Sequence, residues 1–175
     1  ADVLHVGGDA LRGCMACGAC GKLKKCVFDD AVNVAAAKFA EADGVVIASP
    51  VYYGSATGTL VSFLDRLFFS SKGVFDKSMK VGASIVVARR GGLSATYDEL
   101  NKYFGISGMP IASSQYWNSV HGRDAGEVVE DIEGLQTMRT LARNMTFLMK
   151  SIALGREAYG LPEKEAAVAT NFVRR

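Results

Sequence analysis

Two short, unbroken apolar runs stand out against stretches in which apolar residues recur every three or four positions. The runs are Gly44-Val45-Val46-Ile47-Ala48 and Lys80-Val81-Gly82-Ala83-Ser84-Ile85-Val86-Val87-Ala88. Such runs, apolar on both faces, predict strands buried inside a parallel sheet. Helical spacing begins with Val32, Ala35, Ala36, Phe39 and Ala40, the stripe of a helix capped by Asp29-Asp30 and running through about Ala42. A second helix follows over Leu60-Val61-Ser62-Phe63-Leu64-Asp65-Arg66-Leu67-Phe68-Phe69, with Thr57 or Thr59 as its cap. A third opens after Gly92 and runs through about Phe104. A long fourth, from Glu133 or Gly134 to about Leu154, is apolar at Leu135, Met138, Leu141, Met145, Leu148, Met149 and Ile152. Val3-Leu4-His5-Val6 reads as a short first strand ended by Gly7-Gly8, and the segment from Pro110 to Trp117 as the last strand. Strand and helix alternate along the chain, which predicts one α/β domain over residues 1–175 with a mainly parallel sheet. The runs at Val45–Ala48, Val81–Ala88 and Ile111–Ser114 are expected to be neighbouring parallel strands with helices on both faces.

In open α/β sheets, ligands bind where loops leave the carboxyl ends of the strands. Two loops qualify. The first is Ser49-Pro50-Val51-Tyr52-Tyr53-Gly54-Ser55: Pro50 fixes the chain, the tyrosines offer flat rings, and Gly54 admits close backbone approach. The second is Ala88-Arg89-Arg90-Gly91-Gly92. Adjacent parallel strands would set them side by side as two walls of one crevice.

The chain has four cysteines, all between positions 14 and 26, in the spacing C-x2-C-x2-C-x5-C formed by Cys14, Cys17, Cys20 and Cys26. The first three match the compact run that wraps an iron–sulfur cube. Ala16, Gly18, Ala19 and Gly21 leave the backbone free to fold tightly between them. Bacterial ferredoxins continue with three residues and then Cys-Pro, whereas here five residues precede Cys26 and Val27 follows. The residues leave open a [4Fe–4S] cluster, zinc, or free or mutually oxidised thiols. If a metal group is held, the four sulfurs are expected to converge on one point. Clustered cysteines argue against a disulfide framework and for a reducing compartment, hence a cytoplasmic protein. Lys22, Lys24 and Lys25 form a solvated face that would also guide an acidic electron donor. The formal net charge of +2 leaves no nucleic-acid footprint, and no apolar run reaches membrane-span length. Arg174-Arg175 reads as a solvated tail.

The cysteine run with Asp29-Asp30, the loop Ser49-Pro50-Val51-Tyr52-Tyr53-Gly54-Ser55, the triplet Leu64-Asp65-Arg66, and later Arg90-Gly91-Gly92 and Gln115-Tyr116-Trp117-Asn118 together resemble the NADPH-dependent FMN reductase family. Within it they look most like the iron–sulfur flavoproteins. The resemblance implies a flavodoxin-like, doubly wound parallel sheet with FMN at the switch point. It places Ser49, Pro50, Val51, Tyr52, Tyr53, Gly54 and Ser55 on one side of the isoalloxazine ring, and Ala88, Arg89, Arg90, Gly91 and Gly92 on the other. It assigns Cys14, Cys17, Cys20 and Cys26 to a [4Fe–4S] cluster, and it implies a homodimer or homotetramer. Family members open with a strand, a serine-rich loop that grips the FMN phosphate, and a helix. This sequence starts at what reads as the second strand, so the expectation is ring contacts without the first strand and phosphate loop.

The function expected is an FMN-dependent oxidoreductase or electron-transfer protein, its donor or acceptor being NAD(P)H, a ferredoxin or a small molecule. Arg89 or Arg90 would stabilise negative charge at the pyrimidine edge of the flavin. No side-chain nucleophile or general base is called for. The alternative is a flavin-free α/β module with a structural zinc or thiol cluster.

Overall fold

The fold was analysed in a computed structural model that describes residues 1–170. The Arg174-Arg175 tail lies outside the described residues. Strand β1 (Gly44–Pro50) pairs in parallel with β2 (Val81–Ala88), which pairs in parallel with β3 (Ser119–His121), giving the order β1-β2-β3. Around this sheet lie α1 (Cys20–Leu23), α2 (Ala31–Glu41), α3 (Gly58–Ser70), α4 (Leu93–Gly105) and α5 (Ile132–Tyr159). This is the parallel, alternating α/β architecture of a flavodoxin-like fold.

Alternation along β2 divides the core. Val81 and Ala83 pack with Leu141 and Met145 of α5, joined by Ile85, Met138, Leu148, Met149 and Ile152. On the opposite face Val86 joins Ile47, Leu60, Phe63, Leu64, Leu67, Leu100 and Phe104 in the larger core under α2, α3 and α4. Ser84 on that face hydrogen-bonds Asn101 of α4 (2.7 Å). Coverage of both faces holds for β2. On β1 it is one-sided: Ile47 and Ser49 are buried, while Val46, Ala48 and Pro50 are exposed.

Caps follow the sequence closely. Asp30 accepts from the Val32 amide at the start of α2 (3.1 Å), and Thr57 accepts from the Leu60 amide at the start of α3 (3.4 Å). The Lys80 ammonium closes the other end of α2 by donating to the Ala40 carbonyl (2.9 Å) and the Ala42 carbonyl (2.5 Å).

Two expected strands differ. Val3-Leu4-His5-Val6 forms no strand: Val3 is 94% exposed, and the segment's backbone bonding is local, with the Asp9 amide donating to the Val6 carbonyl (3.3 Å). So short a run becomes a strand only where a ladder partner meets it. The last strand also departs from the expected span of Pro110 to Trp117. Ile111 makes a single parallel bridge to Gly82, and pairing resumes only at Ser119, opposite Val86. Residues 113–117 leave the sheet between these points, and Asn118, fully buried, closes the excursion by accepting from the Val86 amide (3.0 Å) and donating its side-chain amide to the Ala112 carbonyl (3.4 Å). Ser114 Oγ sits inside it, 2.6 Å from the Tyr116 carbonyl and 2.8 Å from Asn118 Oδ1. Ser114 thus finds local partners that compete with a ladder, while the Ser113 carbonyl accepts from Asn144 and Gln115 Oε1 from Thr140, both on α5.

Gly82 sits where β2 meets α4. A Cβ there would lie 2.5 Å from the Phe104 ring. Gly82→Ala is expected to destabilise the fold by about 1–3 kcal/mol through overpacking, read as a lower urea midpoint with an unchanged slope.

Candidate functional site

The loop after β1 is a tight hairpin. Tyr52 and Ser55 exchange backbone hydrogen bonds (2.9 and 3.1 Å) as an antiparallel bridge, with Tyr53 (φ 52) and Gly54 (φ 76) both left-handed between them. Two successive positive φ values are the signature of a primed two-residue turn. Glycine takes that conformation freely, whereas tyrosine is strained in it. The strain carries the Tyr53 ring fully into solvent, at 108% relative exposure, with Tyr52 also exposed.

The loop is held from beneath. Ser49 is buried and its hydroxyl accepts from the Thr57 amide (3.1 Å) while donating to the Pro50 carbonyl (2.7 Å). Ser49 therefore braces the loop and the start of α3. Glu99 of α4 accepts from the Ser55 hydroxyl (2.8 Å) and the Ala56 amide (2.9 Å). Val51 continues the sheet, its amide donating to the Val87 carbonyl (2.8 Å).

The loop after β2 meets this hairpin at Gly92. With φ 90, Gly92 starts α4, and a Cβ on it would lie 2.8 Å from Val51 Cγ1 and 2.9 Å from Gly54 Cα. Arg89, Arg90 and Gly91 are exposed beside it, and Ala88 is buried. The structure therefore brings the two expected loops into contact. Open space lies over Gly54 and Gly91, where an added Cβ would meet nothing within 4 Å. Exposed rings beside open glycine positions offer a stacking surface to a flat aromatic ligand.

The second constellation surrounds the cysteines. Cys14, Cys17, Cys20 and Cys26 line one shallow hollow, together with Met15, Phe28, Arg66, Phe69 and Ser70. Left-handed residues at Ala16 (φ 53), Gly18 (φ 69) and Lys24 (φ 57) wind the chain around it. The expected convergence of sulfurs on a single point is not what the structure shows. Among the described residues, no group of three or more His, Cys, Asp or Glu side chains is placed to hold a metal ion. The four thiols are free, and they surround a space instead of meeting at one position.

Cys26 is the fixed member of the set. It is 8% exposed, whereas Cys14 and Cys17 are exposed. Asn33 of α2 clamps it from both sides: Oδ1 accepts from the Cys26 amide (2.9 Å), and Nδ2 donates to the Cys26 carbonyl (3.1 Å) and the Phe28 carbonyl (2.9 Å). Arg66 of α3 holds the sulfur. Its Nε and Nη2 donate to Cys26 Sγ (3.3 and 3.2 Å), and its Nη1 and Nη2 form a two-pronged pair with Asp30 (2.8 and 2.9 Å). Nη1 also reaches the Arg12 carbonyl (3.3 Å), and the guanidinium lies 5.0 Å from the Phe28 ring centroid. Arg66 is only 2% exposed.

Burial pushes the Arg66 pKa down, but its bonds to Asp30 and Cys26 outweigh that and raise it above its ordinary value. Burial likewise pushes Asp30 up, and the Arg66 and Val32 hydrogen bonds overcome it and hold the carboxyl below its ordinary value.

Sequence reasoning did not select Arg66, Asn33, Ser70 or Glu99 as site residues. A signal existed for Arg66: it lies three residues after Phe63 and four before Ser70, on the buried stripe of α3. An arginine there needs partners. Asn33 and Glu99 carried no such mark.

A family model described as NADPH-dependent FMN reductase matches residues 1–124. The chain belongs to the NADPH-dependent FMN reductase family. It is 28% identical to an iron-sulfur flavoprotein of Methanosarcina thermophila over 158 residues, covering 89% of this chain and 82% of that protein. An iron-sulfur flavoprotein of Methanocaldococcus jannaschii is 30% identical over 149 residues, 81% of this chain and 77% of the relative. One from Archaeoglobus fulgidus is 27% identical over 157 residues, 83% and 78% of the two chains. Family membership makes a flavin-dependent redox role the coarse function of the chain.

Removing the charge of Asp30 tests the buried pair. Asp30→Asn leaves Arg66 buried and unpaired, so about 3–5 kcal/mol of stability is expected to be lost. In the parent protein, the folded carboxyl titrates below its ordinary value of 3.8. The stabilisation is complete above that value and is lost as pH falls through the depressed folded pKa. Acid unfolding below about pH 4, followed by circular dichroism, should be steeper in the parent than in Asp30→Asn.

Proposed function

We propose that this chain is an FMN-dependent electron-transfer oxidoreductase, with FMN between loops 50–55 and 89–92 and an iron–sulfur cluster on Cys14, Cys17, Cys20 and Cys26. The observation that carries the reading is that one helix braces both sites. The first turn of α3 is tied to the flavin loop through the Thr57 amide and Ser49, and its last turns supply Arg66 and Ser70 to the cysteine hollow. The two ends of the 13-residue helix are about 20 Å apart.

The residues fit both groups. Exposed Tyr52 and Tyr53 above open glycine positions offer ring-stacking surface, with Arg89 and Arg90 beside them for negative charge. The compact run of Cys14, Cys17 and Cys20, with Cys26 lining the same hollow, suits a cluster, in which each sulfur binds a different iron. Ser70 lines that hollow, its hydroxyl is buried without a hydrogen-bond partner, and a sulfur in the hollow would supply one. When bound, FMN supplies one- and two-electron redox chemistry and the cluster supplies single-electron transfer. The chain itself holds a rigid flavin loop through Ser49 and Glu99, fixes Cys26 through Asn33 and Arg66, and shields one side of the hollow with Met15, Phe28 and Phe69.

Exposed Lys22, Lys24 and Lys25 beside the cysteines support an acidic one-electron carrier of ferredoxin type as one redox partner. NAD(P)H or a small molecule would be met at the open flavin loops. Exposed Ile132, Phe147, Leu154 and Tyr159 along α5 support a homodimer or homotetramer. Free thiols support a cytoplasmic setting. Among the described residues, no helix is long and apolar enough to cross a membrane.

The test is the visible spectrum and metal content of protein purified without oxygen. Flavin bands, together with iron and a broad brown absorption that Cys17→Ser abolishes, are expected. Iron content unchanged by Cys17→Ser, or zinc at one per chain in colourless protein, would overturn the cluster assignment and favour the flavin-free module. For the flavin, Gly92→Ala is expected to weaken binding about tenfold, because the left-handed conformation and the contact with Gly54 both resist a side chain. Quenching of flavin fluorescence measures this, and an unchanged affinity would place the ring elsewhere.

A further inference from the structure

Arg66 and Ser70 stand one turn apart on α3, and both line the cysteine hollow. Arg66 is more than a brace for Asp30. A guanidinium presents five donors, and two of the N–H groups here are spent on the sulfur of Cys26. Ser70 is buried at the end of the same helix, and its hydroxyl has no partner within the protein. An unpartnered buried hydroxyl costs about 1–3 kcal/mol unless something else satisfies it. Met15, Val27, Phe28 and Phe69 on the other walls have side chains with no strong acceptor, and the cysteine sulfurs line the same hollow.

We infer that Arg66 and Ser70 are positioning residues that set the reduction potential of the iron–sulfur cluster by donating N–H···S and O–H···S hydrogen bonds to sulfurs in the hollow. This rests on the reading of the four cysteines as cluster ligands. The physics is direct. One electron arriving from a one-electron carrier adds one negative charge to the cluster, and that charge is spread over its sulfurs. Donors aimed at sulfur stabilise the reduced form more than the oxidised form, which raises the potential. No bond to Arg66 or Ser70 forms or breaks, and no proton leaves either residue. The fixed positive charge of Arg66 acts in the same direction, while Asp30 opposes it and keeps the guanidinium oriented.

The two residues separate tuning from folding. Ser70→Ala removes a hydroxyl that bonds to nothing in the protein, so the fold is expected to be unharmed or slightly stabilised. Arg66→Lys keeps a cation for Asp30 but cannot span Asp30 and Cys26 with one ammonium. Both are to be purified without oxygen, assayed for iron per chain, and titrated with redox mediators while the reduced cluster is followed by electron paramagnetic resonance. Iron content equal to the parent is expected in Ser70→Ala, with a more negative midpoint potential. Arg66→Lys is expected to shift further in the same direction, by about tenfold in the one-electron reduction equilibrium, about 59 mV. Parent protein that carries iron, with Ser70→Ala at the parent's potential, would overturn the tuning role while leaving the cluster assignment intact. Loss of iron from Ser70→Ala would also overturn it, since the hydroxyl would then hold the cluster together. Parent protein without iron overturns the cluster reading and this inference with it.

Discussion

The buried guanidinium of Arg66 is the constraint on which the rest of this structure depends. It sits on the inward stripe of α3 among Phe63, Leu64 and Leu67, where an unpaired charge would be prohibitive. Its donors are therefore obliged to find acceptors, and those acceptors come from three separate stretches of chain: Asp30 at the start of α2, the sulfur of Cys26, and the Arg12 carbonyl. One side chain thus ties the cysteine segment to the body of the domain. Asn33 of α2 shares the task through its bonds to Cys26 and Phe28. The segment's only helix is the single turn Cys20–Leu23, which buries nothing.

The same helix governs the other site through its opposite end. Thr57 caps α3 with its side chain and donates its own amide to Ser49. Glu99 on α4 then holds Ser55 and Ala56. Neighbouring residues of α3 divide the work: Asp65 accepts from the Tyr103 hydroxyl of α4 (2.6 Å), while Arg66 faces α2 and the cysteines. The triplet Leu64-Asp65-Arg66 is a set of three anchors. Leu64 enters the core, Asp65 ties to α4, and Arg66 ties to the cysteine segment. The tyrosine hairpin can present its rings to solvent in a strained turn because the ladder, Ser49 and Glu99 over-determine its base.

Much of this was legible in the sequence, for a definite reason. The parallel strands Val45–Ala48 and Val81–Ala88 announce themselves as unbroken runs of apolar or small residues, although β1 buries only the face of Ile47 and Ser49. Caps are equally local: Asp30 and Thr57 each bond an amide two or three residues away. Left-handed glycines at the ends of strands fix where the loops turn. The proximity of loops 50–55 and 89–92 followed from parallel neighbours sharing a carboxyl edge. The cysteine spacing identified four residues of one hollow without reference to any other part of the chain.

What only the tertiary structure decided is everything that depends on a partner far along the chain. Val3–Val6 has strand-like residues but no ladder to join, and the last strand forms at Ser119–His121 because Ser114 and Asn118 divert the preceding residues into local bonds. Which cysteine is fixed was equally hidden. Cys26 differs from the others only because Asn33 and Arg66, 7 and 40 residues away, converge on it. Periodicity and spacing are properties of short stretches, and the sequence determined strands, caps and loops at that range. The pairing of a buried charge with its acceptors is a property of the packed core, and only the assembled fold set Arg66 against the sulfur.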